Sequence, residues 1–364
     1  TLLHYYTTTL LHYYTTLDSS LIIFFVININ IKNKQTKMQP FLLLLTLLQV
    51  SARENAVILI LCRNSDLSNI RDTIKNFEEM FNKEFGYPYV FLNDDEFTEE
   101  FKNTIKAVAS THIDFGRLTE EEFGVPKFID MPKVNSTMAT MKKLGIIYGD
   151  SLSYRKMCRF YSGYFFRNPL VTQYKYYWRI EPEVRFLCKI NYDPFEYLKE
   201  NNKEYGFVIT LREFMETIPS LYKETINFLQ NHRHIIGQPQ GNKFIFNKDL
   251  TYNGCHFWSN FEIASFDFWR SEQYIKYFEW LDKSGGFFYE RWGDAPVHSL
   301  ALSLFLDKKK IHFFEDLGYT HPPFTHCPSS PSRLKACTCK PKDSIDFAPN
   351  SCLKEWLSDV IHSM

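Results

Sequence analysis

"NAVILILC", residues 55–62, is an unbroken apolar run of strand length. A strand apolar on both faces is buried on both faces, which is the habit of a parallel sheet covered by helices. Asp66 or Ser68 is placed to cap the segment that follows, where Leu67, Ile70, Ile74, Phe77 and Phe81 recur at helical spacing. "YPYVFLND", residues 87–94, then returns to strand. Strand, helix and strand make a βαβ unit, so the reading is an α/β fold whose ligands gather at the carboxyl ends of its strands. Arg63 follows the first strand at such an end. Asp94-Asp95-Glu96 follows the second and reads as a solvated acidic turn in preference to a metal site.

A second informative stretch is "YKYYWRIEPEVRF", residues 174–186. Pro182 donates nothing to a ladder and biases Glu181 toward extended backbone, so the strand should end at Ile180. Glu181 and Glu183 then stand at its tip, either as a solvated strand end or as part of a site. "SLSYRKMCRFYSGYFF" (151–166) reads as a helix, with Tyr154, Met157, Cys158 and Tyr161 on one face. Arg155 and Arg159 lie four apart on another, where guanidinium forks suit phosphate as well as solvent. "VRFLC" (184–188) and "EYGFVIT" (204–210) read as strands, "IPSLYKETINFLQNH" (218–232) as a helix, and 231–249 as a polar loop. No linker separates domains, so one large domain is expected.

The formal net charge is zero over 364 residues, which leaves no basic excess to release counterions and argues against nucleic acid as a partner. Aromatic residues make up 17% of the chain and serve an aromatic core more readily than sugar stacking. "TLLHYYTT" occurs twice in tandem over Thr1–Thr16, and residues 1–37 read as a flanking segment ahead of Met38. Residues 38–52 carry an apolar run, Phe41 to Val50, too short for a bilayer span of about 20 residues. With Val50 and Ala52 spaced for cleavage, it reads as a secretory signal or a short membrane anchor. Residues 53–330 form the main domain and 331–364 a Cys-containing tail. Asn135-Ser136-Thr137 is a glycosylation sequon, and Cys327, Cys337, Cys339 and Cys352 crowd the end of the chain. Their spacing fits no zinc pattern, so disulfides in an oxidising lumen are expected, with connectivity open.

Further blocks carry a family. "WRIEPEVRF" (178–186), "NGCHFWSNFEIASFDFWRS" (253–271), "GGFFYERWGDAPVHSLALSLFL" (285–306) and "HFFEDLGYTHPPFTHCP" (312–328) resemble the fungal α-1,2-mannosyltransferases of glycosyltransferase family 15. "CRNSDL" (62–67) and "SLSYRKMCRF" (151–160) resemble the same family in the same order. The resemblance runs from about Ala56 to Cys327. It implies a GT-A type nucleotide-sugar-binding fold with a mixed sheet, GDP-mannose as donor, a mannose-terminated glycan as acceptor, Mn2+ as cofactor and the Golgi lumen as location. The implied reaction moves mannose to the 2-hydroxyl of an acceptor mannose with retention.

Carried over residue by residue, the family's Glu-Pro-Asp motif stands as Glu181-Pro182-Glu183, the last acid one methylene longer. Glu181 falls on the metal and substrate side, and His321 on the metal-ligand histidine, beside Thr320 where many members have a second histidine. Glu262 falls on the candidate catalytic carboxylate facing the sugar, and Asp294 on a second catalytic position. Arg63, Tyr154, Arg159, Arg179 and Glu183 fall to substrate binding. Oxygen and imidazole ligands suit manganese, and a cation suits a departing diphosphate. Read without the family, His321 is as well a packed loop histidine and Glu262 a satisfied buried acid. Asp294 doubles as a cap for the helix that follows. A catalytically silent paralogue that binds GDP-mannose or mannan is the alternative function; the presence of Glu181, Glu262, Asp294 and His321 together favours the enzyme.

Overall fold

A computed structural model describes residues 53–235 and 243–361. The flanking segment and the apolar run, 1–37 and 38–52, lie outside the described residues. Among the described residues twelve strands form: β1 (Ala56–Leu61), β2 (Tyr89–Asn93), β3 (Ile113–Arg117), β4 (Tyr176–Ile180), β5 (Arg185–Phe186) and β6 (Tyr205–Phe207), then β7 (Thr210–Arg212), β8 (Cys255–Phe257), β9 (Glu262–Ser265), β10 (Ile311–Phe313), β11 (Tyr319–His321) and β12 (Phe324–His326). Seven of them make one sheet in the order β10-β6-β9-β4-β1-β2-β3. β4, β1, β2 and β3 run parallel, and β9 is antiparallel to both β4 and β6. The sheet is therefore mixed.

β1 alternates its side chains between two cores. Val57 and Leu59 enter one, and Ala56, Ile58 and Ile60 the other. That double burial is what the continuous apolar run requires. Helix α1 (Leu67–Phe77) lays Ile70, Ile74 and Phe77 on the second core, where the Phe77 ring meets Trp178 of β4 edge-on at 5.1 Å. The helix does not use Asp66 as a side-chain cap. The Asp66 carboxylate instead reaches back to accept from the Arg63 backbone N–H at 2.8 Å, which fixes the turn that follows β1.

Two readings of the sequence need correction, and one strand goes unread. "EYGFVIT" is not one strand: β6 stays in the main sheet, while β7 leaves it to pair with β8. β3 has no clear sequence signal, because at the sheet edge Ile113 and Phe115 are only half-buried and alternate with Asp114 and Gly116. The helix after Gly293, here α3 (Asp294–Phe305), begins at Asp294 rather than being capped by it, and the Asp294 side chain is used elsewhere. The strand end at Ile180 stands as Pro182 requires, and helix α2 (Leu152–Gly163) opens with Ser151 accepting from the Tyr154 N–H at 3.1 Å.

From β1 the chain moves outward through β2 and β3, then returns to β4 on the other side of β1. Such a reversal leaves a crevice outside the carboxyl ends of the strands at the switch. Across that edge Glu181 is level with Leu61, and Asn93 is level with Cys62, by the registers Ile60↔Ile180 and Leu61↔Leu92.

The cysteines expected to pair do so. Cys188–Cys337 and Cys255–Cys352 tie the tail to the body, and Cys327–Cys339 closes a short loop where the two join. The tail also packs: in helix α4 (Leu353–Ile361) Trp356 is buried against Phe207, Phe244 and Phe257. The Cys188–Cys337 and Cys255–Cys352 bridges span 149 and 97 residues. In the chain-entropy account, loops of such length are worth on the order of 4 kcal/mol each. Reduction under native buffer should lower the melting temperature by more than 10 °C, and non-reducing peptide mapping should return these three pairs. Free thiols at Cys337 or Cys352 in the folded protein would contradict the arrangement.

Candidate active site

The carboxyl edge of the sheet carries a cleft of about 290 Å3 whose wall includes Arg63, Asn93, Ser153, Tyr154 and Met157. An adjoining lobe of about 490 Å3 shares Arg63, Asn93 and Asp94 and adds Asp95 and Arg117. Together they have the size of a small-ligand site. The Arg63 guanidinium donates to the Ser153 hydroxyl and stands 3.6 Å from Asp94. Tyr154, set at the start of α2 by the Ser151 cap, stacks flat on Tyr148 with ring centroids 4.4 Å apart. The Arg291 guanidinium lies 5.3 Å from the centroid of the Tyr154 ring. Tyr148 holds φ at 56°, a left-handed conformation that non-glycine residues adopt at a cost. The cleft therefore offers a guanidinium, an aromatic wall and a set of polar groups.

Next to it, at the end of β4, a charged group is built around one buried guanidinium. Arg179, 2% exposed, donates from Nε to Glu181 Oε1 at 2.9 Å and from Nη1 to Asp294 Oδ2 at 2.6 Å. Its face lies 3.4 Å from the centroid of the Tyr161 ring. Asp294 Oδ2 also accepts from Ser259 Oγ at 2.7 Å. Burial works against the charge of both acids, and Arg179 outweighs it. Glu181 is held at about 2, with His321 assisting, and Asp294 is lowered as well.

Glu181 and His321 are the members of this group that face open space, with side chains 21% and 25% exposed. Their Oε2 and Nε2 atoms are 3.6 Å apart, and His321 Nδ1 faces its neighbour's carbonyl, Pro322 O, at 3.0 Å. Burial alone would lower the His321 pKa; the Glu181 carboxylate beside it raises it. The Trp258 ring, 5.1 Å from the imidazole, fixes its orientation. A carboxylate oxygen and an imidazole nitrogen converging from two elements fit a manganese-type cation, with coordination places left for other oxygens. Among the described residues, the groups of three ligand types that do cluster are disulfide cysteines, in one case with Glu355, so the Glu181–His321 pair stands as the metal candidate.

The structure does not bring every expected residue to this edge. Glu262 is fully buried in β9, directly across from Arg179 in register. It accepts from Tyr177 Oη and Tyr205 Oη at 3.0 Å each, and His298 Nδ1 lies 2.8 Å away. Its two oxygens thus have three partners and no face open to a sugar. Arg159 is likewise committed: its guanidinium forks onto Asp282 at 2.7 and 2.9 Å, which leaves no donor pair for a phosphate. Glu183, at φ 71°, turns back to accept from Asn69 Nδ2 at 2.6 Å. Asp94, Asp95 and Glu96 form the expected exposed turn. His298 carries no sequence signal beyond its spacing of four from Asp294 on one helix, which puts both on the face that meets Arg179 and Glu262.

The profile of the family described as glycolipid 2-alpha-mannosyltransferase matches residues 23–360. The chain is 50% identical over 305 residues to O-glycoside alpha-1,2-mannosyltransferase omh1 of Schizosaccharomyces pombe, covering 84% of this chain and 78% of that one. It is 46% identical over 307 residues to alpha-1,2 mannosyltransferase KTR1 of Saccharomyces cerevisiae, with coverage of 84% and 78%. Among solved structures, core-mannan synthase A of Aspergillus fumigatus in its Mn/GDP form superposes with a TM-score of 0.80 at 40% identity, covering 85% of this chain and 86% of that one. The mannosyltransferase Ktr4p of S. cerevisiae in complex with GDP gives 0.80 at 43% identity, with coverage of 85% and 82%. A chain this close to those proteins along most of its length belongs to the glycolipid 2-alpha-mannosyltransferase family, glycosyltransferase family 15.

Proposed function

We propose that this chain is an α-1,2-mannosyltransferase that moves mannose from GDP-mannose to the 2-hydroxyl of a mannose on a glycoprotein glycan, with retention at the anomeric carbon. The observation that carries the reading is the junction of the Arg63–Tyr154 cleft with the Arg179–Glu181–His321 group on one sheet edge, in a member of this family. The nucleoside would lie over the cleft and the diphosphate toward the end of β4. Glu181 and His321 are the residues that would hold Mn2+, and a bound cation neutralises charge gathering on the departing diphosphate. Arg179 keeps Glu181 ionised and aimed outward. Arg63 is half-exposed and supplies positive charge at the cleft. The secretory pathway, and within it the Golgi lumen, is the proposed setting. Three disulfides and an exposed sequon at Asn135 support an oxidising, glycosylating compartment.

Retention can arise from two inversions through a protein carboxylate, or from attack on the face that the leaving group departs. With Glu262 enclosed by Tyr177, Tyr205 and His298, same-face attack is the route adopted in this reading. Glu262 then acts from below the site: it pins His298 and, through the β4–β9 pairing, the strand that carries Arg179.

The metal assignment predicts that His321→Ala raises the Mn2+ concentration for half-maximal transfer at least tenfold, or abolishes transfer, while the melting temperature stays within a few degrees. Transfer from GDP-mannose to α-methyl mannoside, titrated with Mn2+, measures it; an unchanged requirement would remove His321 from the shell. If the wild-type protein binds GDP-mannose and transfers nothing under any divalent cation, the silent binding paralogue is the correct reading.

The enclosed position of Glu262 predicts a stability effect. In Glu262→Gln an amide N–H2 replaces an oxygen that now meets a donor, at a cost of about 1–3 kcal/mol. Calorimetry should show a lowered melting temperature, and turnover well below it should fall less than about tenfold. A hundredfold loss of kcat with unchanged melting and GDP affinity would instead make Glu262 a group that touches the sugar.

A further inference from the structure

His298 is fully buried on α3, one turn after Asp294. Its Nδ1 lies 2.8 Å from Glu262 Oε1, and its Nε2 lies 2.8 Å from the Tyr161 carbonyl oxygen. That carbonyl can only accept, and it belongs to the last turn of α2, where backbone oxygens run out of helical partners. The next one along, Ser162 O, is taken by Tyr274 Oη at 2.7 Å. Nε2 therefore carries a hydrogen. Glu262 already accepts from two tyrosine hydroxyls, as a carboxylate does, so Nδ1 carries one as well. A ring that donates from both nitrogens is an imidazolium. Trp269, with its ring centroid 4.3 Å away, encloses the imidazolium together with Phe165 and Tyr274. Glu262 is thus its counter-ion inside the core.

We propose that His298 is a positioning residue for the transfer reaction, a buried imidazolium that holds Arg179 in place behind Glu181. The inference rests on the metal reading given above. Three groups around Arg179 lead back to this one ring. Tyr161, whose own ring lies 3.4 Å from the guanidinium, is held by its carbonyl. Glu262, across from Arg179 in the β4–β9 register, is held by its carboxylate. Asp294, which accepts from Arg179 Nη1, precedes His298 by one turn of the same helix. Charge gives a second reason. Glu181, Asp294 and Glu262 bring three negative charges to one guanidinium, and the imidazolium leaves one of them uncompensated in place of two. Arg179 first, and His298 after it, favours the ionised form of Asp294. Of the three acids, Glu181 is the one with an open edge, so the remaining charge stands where a cation can meet it. Loss of the ring loosens Arg179 and with it Glu181, which weakens metal capture more than it slows chemistry once the metal is bound.

Nitrogen-15 NMR of the whole protein, labelled at histidine, reads the ring directly. His298, assigned through its contact with the Trp269 indole, should carry a hydrogen on both nitrogens at the pH of the transfer assay. A bare Nδ1 would make Glu262 the donor and overturn the inference, even if no variant folds. Positioning is read from Mn2+ affinity in the presence of GDP, followed by loss of the free-ion electron paramagnetic resonance signal. His298→Leu should weaken Mn2+ by about five- to tenfold, as loss of a group that orients a ligand does. Its kcat at saturating Mn2+ should stay within about threefold of the wild type. A residue that serves stability alone would lower the melting temperature and leave Mn2+ affinity, measured well below it, unchanged; that result overturns the inference. Should the stranded Glu262 charge keep His298→Leu from folding, the double variant His298→Leu/Glu262→Gln leaves no buried acid unpaired there. It should show the same weakening, and wild-type Mn2+ affinity in it would overturn the inference while leaving the metal reading intact. Failure of the wild type to bind Mn2+ with GDP would overturn the metal reading and this role together.

Discussion

One buried cation organises the catalytic edge of this protein. Arg179 is the penultimate residue of a strand that is otherwise apolar and aromatic, and burial alone would work against its charge. The guanidinium stays because Asp294, from a helix start far along the chain, and Glu181, two residues on, share its donors. Such a triad contributes little net stability once desolvation is counted, but it fixes geometry, since removing one partner strands the others uncompensated. The result is a carboxylate at Glu181 that is ionised, aimed outward and short of counter-charge. With two carboxylates on one guanidinium, the end of β4 carries net negative charge, and His321 stands beside it with a nitrogen to offer.

The two halves of the site are built by different means. The cleft side follows from the βαβ start: β1 and β2 are central parallel strands, so Arg63 and Asn93 are presented at their carboxyl ends by topology alone. The β4 side needs contacts that are remote in sequence. β11 brings His321 up by pairing with β5, immediately after the Glu181-Pro182-Glu183 turn. The disulfides Cys188–Cys337 and Cys255–Cys352 then hold the tail to the short strands near that corner. The sequence distance between Glu181 and His321 is thus closed by a three-stranded antiparallel ribbon under covalent restraint.

Much of this was legible from residue order. The apolar run at 55–62, the helical spacing from Leu67 and the proline after Glu181 each dictated an element that the structure contains, because each is a local rule about burial or backbone freedom. The family's motif blocks brought Glu181, His321, Arg63 and Tyr154 to attention, and these four do line one edge. What stayed hidden was side-chain pairing across the core. No local pattern says that Arg159 forks onto Asp282, that Glu262 is enclosed by two tyrosines and His298, or that Asp294 spends its carboxylate on Arg179 instead of on its own helix. The edge strand β3 escaped for a related reason: half-burial at the side of a sheet leaves too few apolar positions to mark it.

The central claim is that the Glu181–His321 pair forms the protein part of a cation site completed by the donor's diphosphate. Electron spin-echo spectroscopy of Mn2+ bound in the presence of GDP tests it most directly, because a coordinated imidazole leaves a 14N modulation on the manganese echo. The account predicts that modulation in the wild-type protein, from a single nitrogen ligand, and its disappearance in His321→Gln with manganese and GDP still bound at higher concentration. A tightly bound Mn2+–GDP complex with no nitrogen modulation in the wild type, or a modulation that survives the loss of His321, would contradict it.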